Sequence, residues 1–253
     1  MIRALLQPFY TAYVLLLFLV CLLTAYPFFL LIGSRDRPEA RMAIWYVVHY
    51  WAIGWFWTIG MPIRKRGYKH DFNERSVIVA NHISYLDTVA IYAAIPSYFR
   101  TLAKKEMASI PIFGFVYKQM AILVDRSSTH SRSKSLRLMW RAIKNESHVT
   151  IFPEGTFNET GAPLKSFYDG AFRLAITTQA PIVPLLLPDT VWRWHYSAWW
   201  KLWPGRNLAI YLPPVPTKGL KMEDLPALKK QVYEMMEAEL AKYPVPTHSK
   251  KQK

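Results

Sequence analysis

The sequence predicts an α/β protein: a layered mixed sheet with flanking helices, preceded by an N-terminal membrane-associated helical hairpin. Two observations carry this. Short apolar runs alternate with amphipathic helical stretches from about residue 70 onward, the pattern of a layered α/β domain. Ahead of them, residues 4–34 contain no charged side chain, more than the roughly 20 apolar residues a bilayer crossing needs.

The N-terminal run is too long for a signal-peptide core, and Tyr26-Pro27-Phe28-Phe29 is no small-residue cleavage site. A second uncharged stretch, 42–63, is broken only by His49 and is dense in Trp and Tyr, residues that favour the headgroup level. Arg35, Arg37 and Arg41 lie between the two stretches, and Arg64, Lys65, Arg66 and Lys69 follow the second. The positive-inside rule puts both clusters on the cytoplasmic face, which a re-entrant or interfacial hairpin satisfies and a two-span anchor does not.

Strands are predicted at 77–80, 99–103, 121–124, 149–152, 182–187 and 208–212. Helices are predicted at 85–95, 133–145, 170–178 and 225–242. The organisation is a hairpin over 1–63, an α/β domain over 64–245 and a basic tail over 246–253. Residues 1–60 hold four Arg and two acids, so +13 of the net +15 lies beyond them. High apolarity with high positive charge points to an anionic lipid surface, and no base-reading motif supports a nucleic-acid partner. The lone cysteine, Cys21, excludes an intramolecular disulfide and a zinc site built on Cys pairs, and the seven His show no ligand spacing, so no metal is expected.

Two motifs carry chemistry. The first is Asn81-His82-Ile83-Ser84-Tyr85-Leu86-Asp87, just past a strand. On one continuous helix His82 and Asp87 would stand about 140° off a common face, so they meet only if the chain turns between them. Ser84 offers that turn, because Ser-x-x-Asp before an apolar helix is a capping signal. A carboxylate beside an imidazole makes a general base; the plainer alternative is that Asp87 only caps the helix. The second is Phe152-Pro153-Glu154-Gly155-Thr156, where an acid and a Gly at a strand end allow close approach to a ligand. Beyond both, 191–203 interleaves five Trp with Arg193 and Lys201, the composition of an interfacial belt.

Together these motifs resemble the lysophosphatidic acid acyltransferases, the 1-acylglycerol-3-phosphate O-acyltransferases of the PlsC type. Asn81, His82 and Asp87 match the family's Asn-His-x-x-x-x-Asp block. Residues 114–126 resemble its Gly-to-Arg block, 152–156 match its Phe-Pro-Glu-Gly-Thr block, and Ile182-Val183-Pro184-Leu185 resemble its Val-Pro block. The resemblance implies His82 as base and Asp87 as its orienting carboxylate. It places substrate binding at Asn81, Lys104, Lys105, Arg126, Glu154, Gly155 and Thr156. It implies no cofactor, with acyl-CoA or acyl-carrier protein as donor substrate, a lysophospholipid acceptor, membrane lipids as partners, and an active site on the cytoplasmic face. One position departs: Phe157 stands where the family carries an Arg associated with the acceptor's phosphate. Lys165 reads as solvated surface charge. The departure keeps open acylation of another lysolipid, such as an aminolipid; a lipid hydrolase using His82 to activate water is the alternative chemistry.

Overall fold

A computed structural model describes residues 2–33, 37–125 and 127–244. The helices are α1 (Ile2–Gly33), α2 (Pro38–Thr58), α3 (Asp87–Ala94), α4 (Phe113–Met120), α5 (Thr129–Asn145), α6 (Gly170–Thr178), α7 (Thr190–Arg193) and α8 (Leu225–Leu240). The strands are β1 (Ile63–Gly67), β2 (Val77–Ala80), β3 (Phe99–Lys104), β4 (Ala121–Val124), β5 (His148–Ile151), β6 (Ile182–Leu186) and β7 (Asn207–Tyr211). They form one sheet in the order β1-β7-β6-β2-β5-β3-β4. Every pairing is parallel except β6 with β7, so the sheet is mixed, as expected.

The central strands β2, β5 and β6 are buried at every position, which is why they read as unbroken apolar runs. Alternate side chains feed two cores. Ile78, Ala80, Val183 and Leu185 pack against α2, α3 and α4 on one face. Val77, Val79, Ile182 and Leu186 pack against α5, α6 and α8 on the other. The result is a three-layer sandwich.

Three elements were not read from the sequence: β1, α4 and the single-turn helix α7. Strand β1 is hidden by Arg64, Lys65 and Arg66, which suit an exposed edge strand because their charges discourage further pairing. It ends at Gly67, where φ is +85° and a Cβ would lie 2.1 Å from the Tyr211 carbonyl oxygen. Helix α4 fills the first part of the 114–126 block, directly ahead of the strand read at 121–124, which is β4. Gly114 lets it close onto the preceding turn, since a Cβ there would meet the Ala108 carbonyl oxygen at 2.3 Å.

The hairpin segment also departs from its reading. Helix α2 is no shallow helix along its whole length: Trp45, Ala52, Trp55 and Phe56 are buried in the core, while Tyr46, Tyr50 and Trp57 stay exposed. Arg41, counted as a loop cation, makes a bidentate pair with Glu146 at 2.9 Å for both bonds. Tyr98 donates to the same carboxylate at 2.6 Å. That cluster pins the start of α2 to the far end of α5. Arg35 lies outside the described residues, as does the tail from 245 onward.

Helix α1 holds the span from Leu5 to Gly33 that is long and apolar enough to cross a membrane. Its inner face packs on the domain through Val14 and Phe29; Leu5, Phe9, Leu16, Phe28 and Leu31 are exposed along its length.

Candidate active site

Three neighbouring strands, β6, β2 and β5, deliver their carboxyl-terminal loops to one place, where open α/β sheets bind ligands. Strand β2 runs into Asn81 and His82. Strand β5 runs into Phe152 and Glu154. Strand β6 runs toward Thr190.

The chain turns between His82 and Asp87, and the two meet. His82 Nδ1 lies 3.0 Å from Asp87 Oδ2. The same oxygen accepts the N–H groups of Ile83 at 2.7 Å and Ser84 at 2.8 Å. Asp87 is fully buried. The capping detail differs from the expected box. Helix α3 starts at Asp87 itself, and the Ser84 hydroxyl accepts from Leu86 N–H and donates to the Trp194 carbonyl at 2.6 Å. A tight turn at 85–86 puts Leu86, not Asp87, opposite the serine oxygen.

With Nδ1 anchored, the His82 ring lies between aromatic faces. Phe152 stacks on it at 4.2 Å, and Phe157 tilts against it at 4.4 Å. Among the described residues Nε2 has no hydrogen-bond partner. His82 lines a cavity of about 540 Å³ whose walls come from α1 (Phe18, Cys21, Ala25), α3 (Val89) and α4 (Val116), among others. The walls are mostly apolar with a few polar side chains, among them His82, Lys104 and Thr156, the usual make-up of a small-molecule site.

The residues assigned to substrate binding divide. Lys104, Gly155 and Thr156 line this cavity. Gly155 has φ +76°, a conformation other residues resist. Lys105 opens the exposed 3-10 turn Lys105–Ser109, next to the cavity wall but not on it. Arg126 lies outside the described residues. Asn81 is fully buried, and its amide clamps Leu187, accepting from the N–H at 2.7 Å and donating to the carbonyl at 3.3 Å. Glu154 is also fully buried. Its carboxylate accepts the His82 N–H at 2.8 Å and the Lys165 N–H at 3.0 Å. Burial pushes its pKa up to about 7 against those two bonds.

Lys165, read as solvated charge, is placed by that same carboxylate, and its Nζ donates to Thr156 Oγ1 at 2.7 Å. It therefore stands beside the site. Two contacts to the His82 and Asp87 pair escaped the sequence reading. One is Phe152, visible only as the start of a motif. The other is Thr190, whose hydroxyl donates to Asp87 Oδ1 at 2.6 Å from 103 residues away. The aromatic segment after Thr190 also divides: Trp192, Trp199 and Trp200 are exposed, while Trp194 packs on Tyr85 at 5.2 Å.

A family model described as Acyltransferase matches residues 62–187. The 1-acyl-sn-glycerol-3-phosphate acyltransferase alpha of Ovis aries is 33% identical over 181 residues, 70% of this chain and 62% of that protein. The 1-acyl-sn-glycerol-3-phosphate acyltransferase of Cocos nucifera is 32% identical over 171 residues, 67% of this chain and 54% of that protein. The chain thus spans less than two thirds of the length of these curated relatives. Among solved structures, the 1-acyl-sn-glycerophosphate (LPA) acyltransferase PlsC from Thermotoga maritima superposes with a TM-score of 0.78. That match covers 95% of this chain and 97% of the other at 23% identity, so the two share a fold.

Proposed function

Since the chain belongs to the acyltransferase family, we propose that it transfers a fatty acyl group from a thioester to the sn-2 hydroxyl of 1-acylglycerol-3-phosphate, giving phosphatidic acid. The observation that carries this reading is His82, anchored through Nδ1 on buried Asp87 and presented to an apolar cavity. Nε2 removes the proton from the acceptor hydroxyl as its oxygen attacks the thioester carbonyl. Asp87 stabilises the imidazolium that forms. The tetrahedral intermediate collapses with loss of the thiolate, which takes the proton from His82. Lys104, the cation on the cavity wall, meets the charge on the oxyanion or on a donor phosphate. The acyl chain lies in the cavity among the apolar walls.

The relatives' printed names support the acceptor. Lys165 on Thr156 supplies positive charge where Phe157 does not. Acyl-CoA and acyl-carrier protein both fit the thioester chemistry. The exposed apolar face of α1 fits membrane lipid, and the site then works at the cytoplasmic face. Asn81 and Glu154 act in this reading by holding the catalytic turn, not by touching the acceptor. A second reading, a lysolipid without a phosphate monoester, draws on the rings around Phe157: Tyr85 at 4.9 Å and Tyr196 at 6.0 Å.

The test is an acyl-transfer assay against a panel of lysolipids with wild type and His82→Ala. Wild type prefers lysophosphatidic acid, and His82→Ala loses roughly 10²–10⁴ in turnover. Near-normal turnover in His82→Ala, or acyl release to water without an acceptor, sinks the proposal.

A further inference from the structure

Asp87 Oδ2 is crowded and Oδ1 is not. Three donors converge on Oδ2: His82 Nδ1, Ile83 N–H and Ser84 N–H. Bonds to one oxygen fix that oxygen but leave the carboxylate free to swing about it. The swing changes the direction from which Oδ2 meets the imidazole, and so the direction in which Nε2 points. Oδ1 is held by one donor among the described residues, the Thr190 hydroxyl at 2.6 Å. Both residues are fully buried, where a hydroxyl needs a partner. The competing acceptor for that hydroxyl, the Leu187 carbonyl, is at 3.4 Å.

Thr190 is itself held to the catalytic turn from both sides. Before it, the Asn81 amide clamps Leu187. After it, the Trp194 N–H donates to the Thr190 carbonyl at 2.9 Å, and the Trp194 carbonyl accepts the Ser84 hydroxyl. The hydroxyl therefore reaches Asp87 from a fixed base.

We propose that Thr190 is a positioning residue for acyl transfer: its hydrogen bond to Asp87 Oδ1 sets the rotation of the carboxylate and thereby aims His82 Nε2 at the acceptor hydroxyl. The inference rests on the acyl-transfer reading above. Thr190 touches neither substrate nor the reacting atoms.

The experiment compares Thr190→Val, nearly isosteric but without the hydroxyl, with Thr190→Ser, which keeps it. Turnover is measured per folded molecule in the wild-type and Asp87→Asn backgrounds. Thr190→Val lowers kcat about ten- to a hundredfold, the effect of losing one bond to a charged group, with both KM values within about twofold. Thr190→Ser stays within about threefold of wild type. In the Asp87→Asn background Thr190→Val costs little more, because the two act as one unit. An unchanged kcat in Thr190→Val, equal losses in Val and Ser, or the full loss repeated on Asp87→Asn overturns the proposal. If Thr190→Val does not fold, Thr190→Cys, a weak donor of similar size, takes its place under the same criteria. The acyl-transfer reading falls separately, on His82→Ala retaining turnover.

Discussion

Replacing Glu154 by Gln separates holding the catalytic turn from binding the acceptor. The side chain keeps its shape, but one oxygen becomes an NH₂ group. In the native fold both oxygens accept a backbone N–H, from His82 at 2.8 Å and from Lys165 at 3.0 Å. Gln can serve one of them and sets a donor against the other. Losing one bond to a charged acceptor in a buried place costs about 1.5–3 kcal/mol. For a chain of this size that lowers Tm by roughly 3–12 °C. His82 loses its backbone anchor, and kcat falls about ten- to a hundredfold, since small misplacements of a reacting group are expensive. KM for lysophosphatidic acid changes less than about twofold.

The pH dependence of stability gives a second readout. Burial raises the Glu154 pKa from 4.5 to about 7. Between those values the folded protein holds a proton that the unfolded chain releases. The group's contribution to stability therefore falls as pH rises from 4.5 to 7, by at most ~1.4 kcal/mol per pH unit. His148 runs the other way: burial lowers its pKa from 6.5 to about 4, so its contribution falls as pH drops through that window. In wild type the two slopes oppose each other between pH 4.5 and 6.5. Glu154→Gln removes one and unmasks an acid-side loss of stability. Thermal unfolding across pH 4.5–7, with steady-state kinetics at pH 7, measures all of this. A tenfold rise in KM for the acceptor with unchanged Tm and kcat would refute the reasoning and place Glu154 on the substrate.

Two further experiments probe the two ends of the site. Lys165→Ala should raise KM for lysophosphatidic acid about tenfold with the donor KM within twofold, and Phe157→Arg in that background should restore it; an unchanged acceptor KM in Lys165→Ala means the phosphate is held elsewhere. Ala25→Phe puts a ring into the cavity wall where roughly three to four methylenes would lie, at about 0.8 kcal/mol each. It should lower kcat/KM for long acyl donors about 50- to 200-fold relative to short ones, and an equal loss at every chain length contradicts an acyl chain in this cavity.

Much of the fold was legible because the central strands are buried on both faces and read as continuous apolar runs. What stayed hidden had local chemistry that argued against its place. Three cations in a row masked β1, an edge strand that can afford them. Strand β4 was read at 121–124, but the short helix α4 before it was not, because its eight residues are too few to show a clear helical period. The His82 and Asp87 pair was legible because five residues and one turn join them. Asn81 and Glu154 stood out as motif residues, but their bonds go to backbone groups far along the chain, and no local pattern announces that a carboxylate buttresses a main chain. Thr190 carried no signal, since a single threonine after an apolar strand is ordinary. Lys165 and Arg41 show the converse: partners fixed by the fold turned apparent surface charge into part of a candidate site and of a partly buried ion pair.

Helix α1 is a partition one helix thick. Phe18, Cys21 and Ala25 face the cavity, while Leu16, Leu19 and Leu23 on its other side lie exposed. Extraction and substrate access are thus one problem. A detergent that coats the outer face competes with the helix for its own seat, and a single-chain alkyl detergent has the shape of the acyl chain proposed for the inner face. Activity lost on solubilisation then reports a displaced wall or an occupied chamber before it reports unfolding. A lipid nanodisc, which supports the outer face and offers no free alkyl monomer, is the preparation in which the two can be told apart.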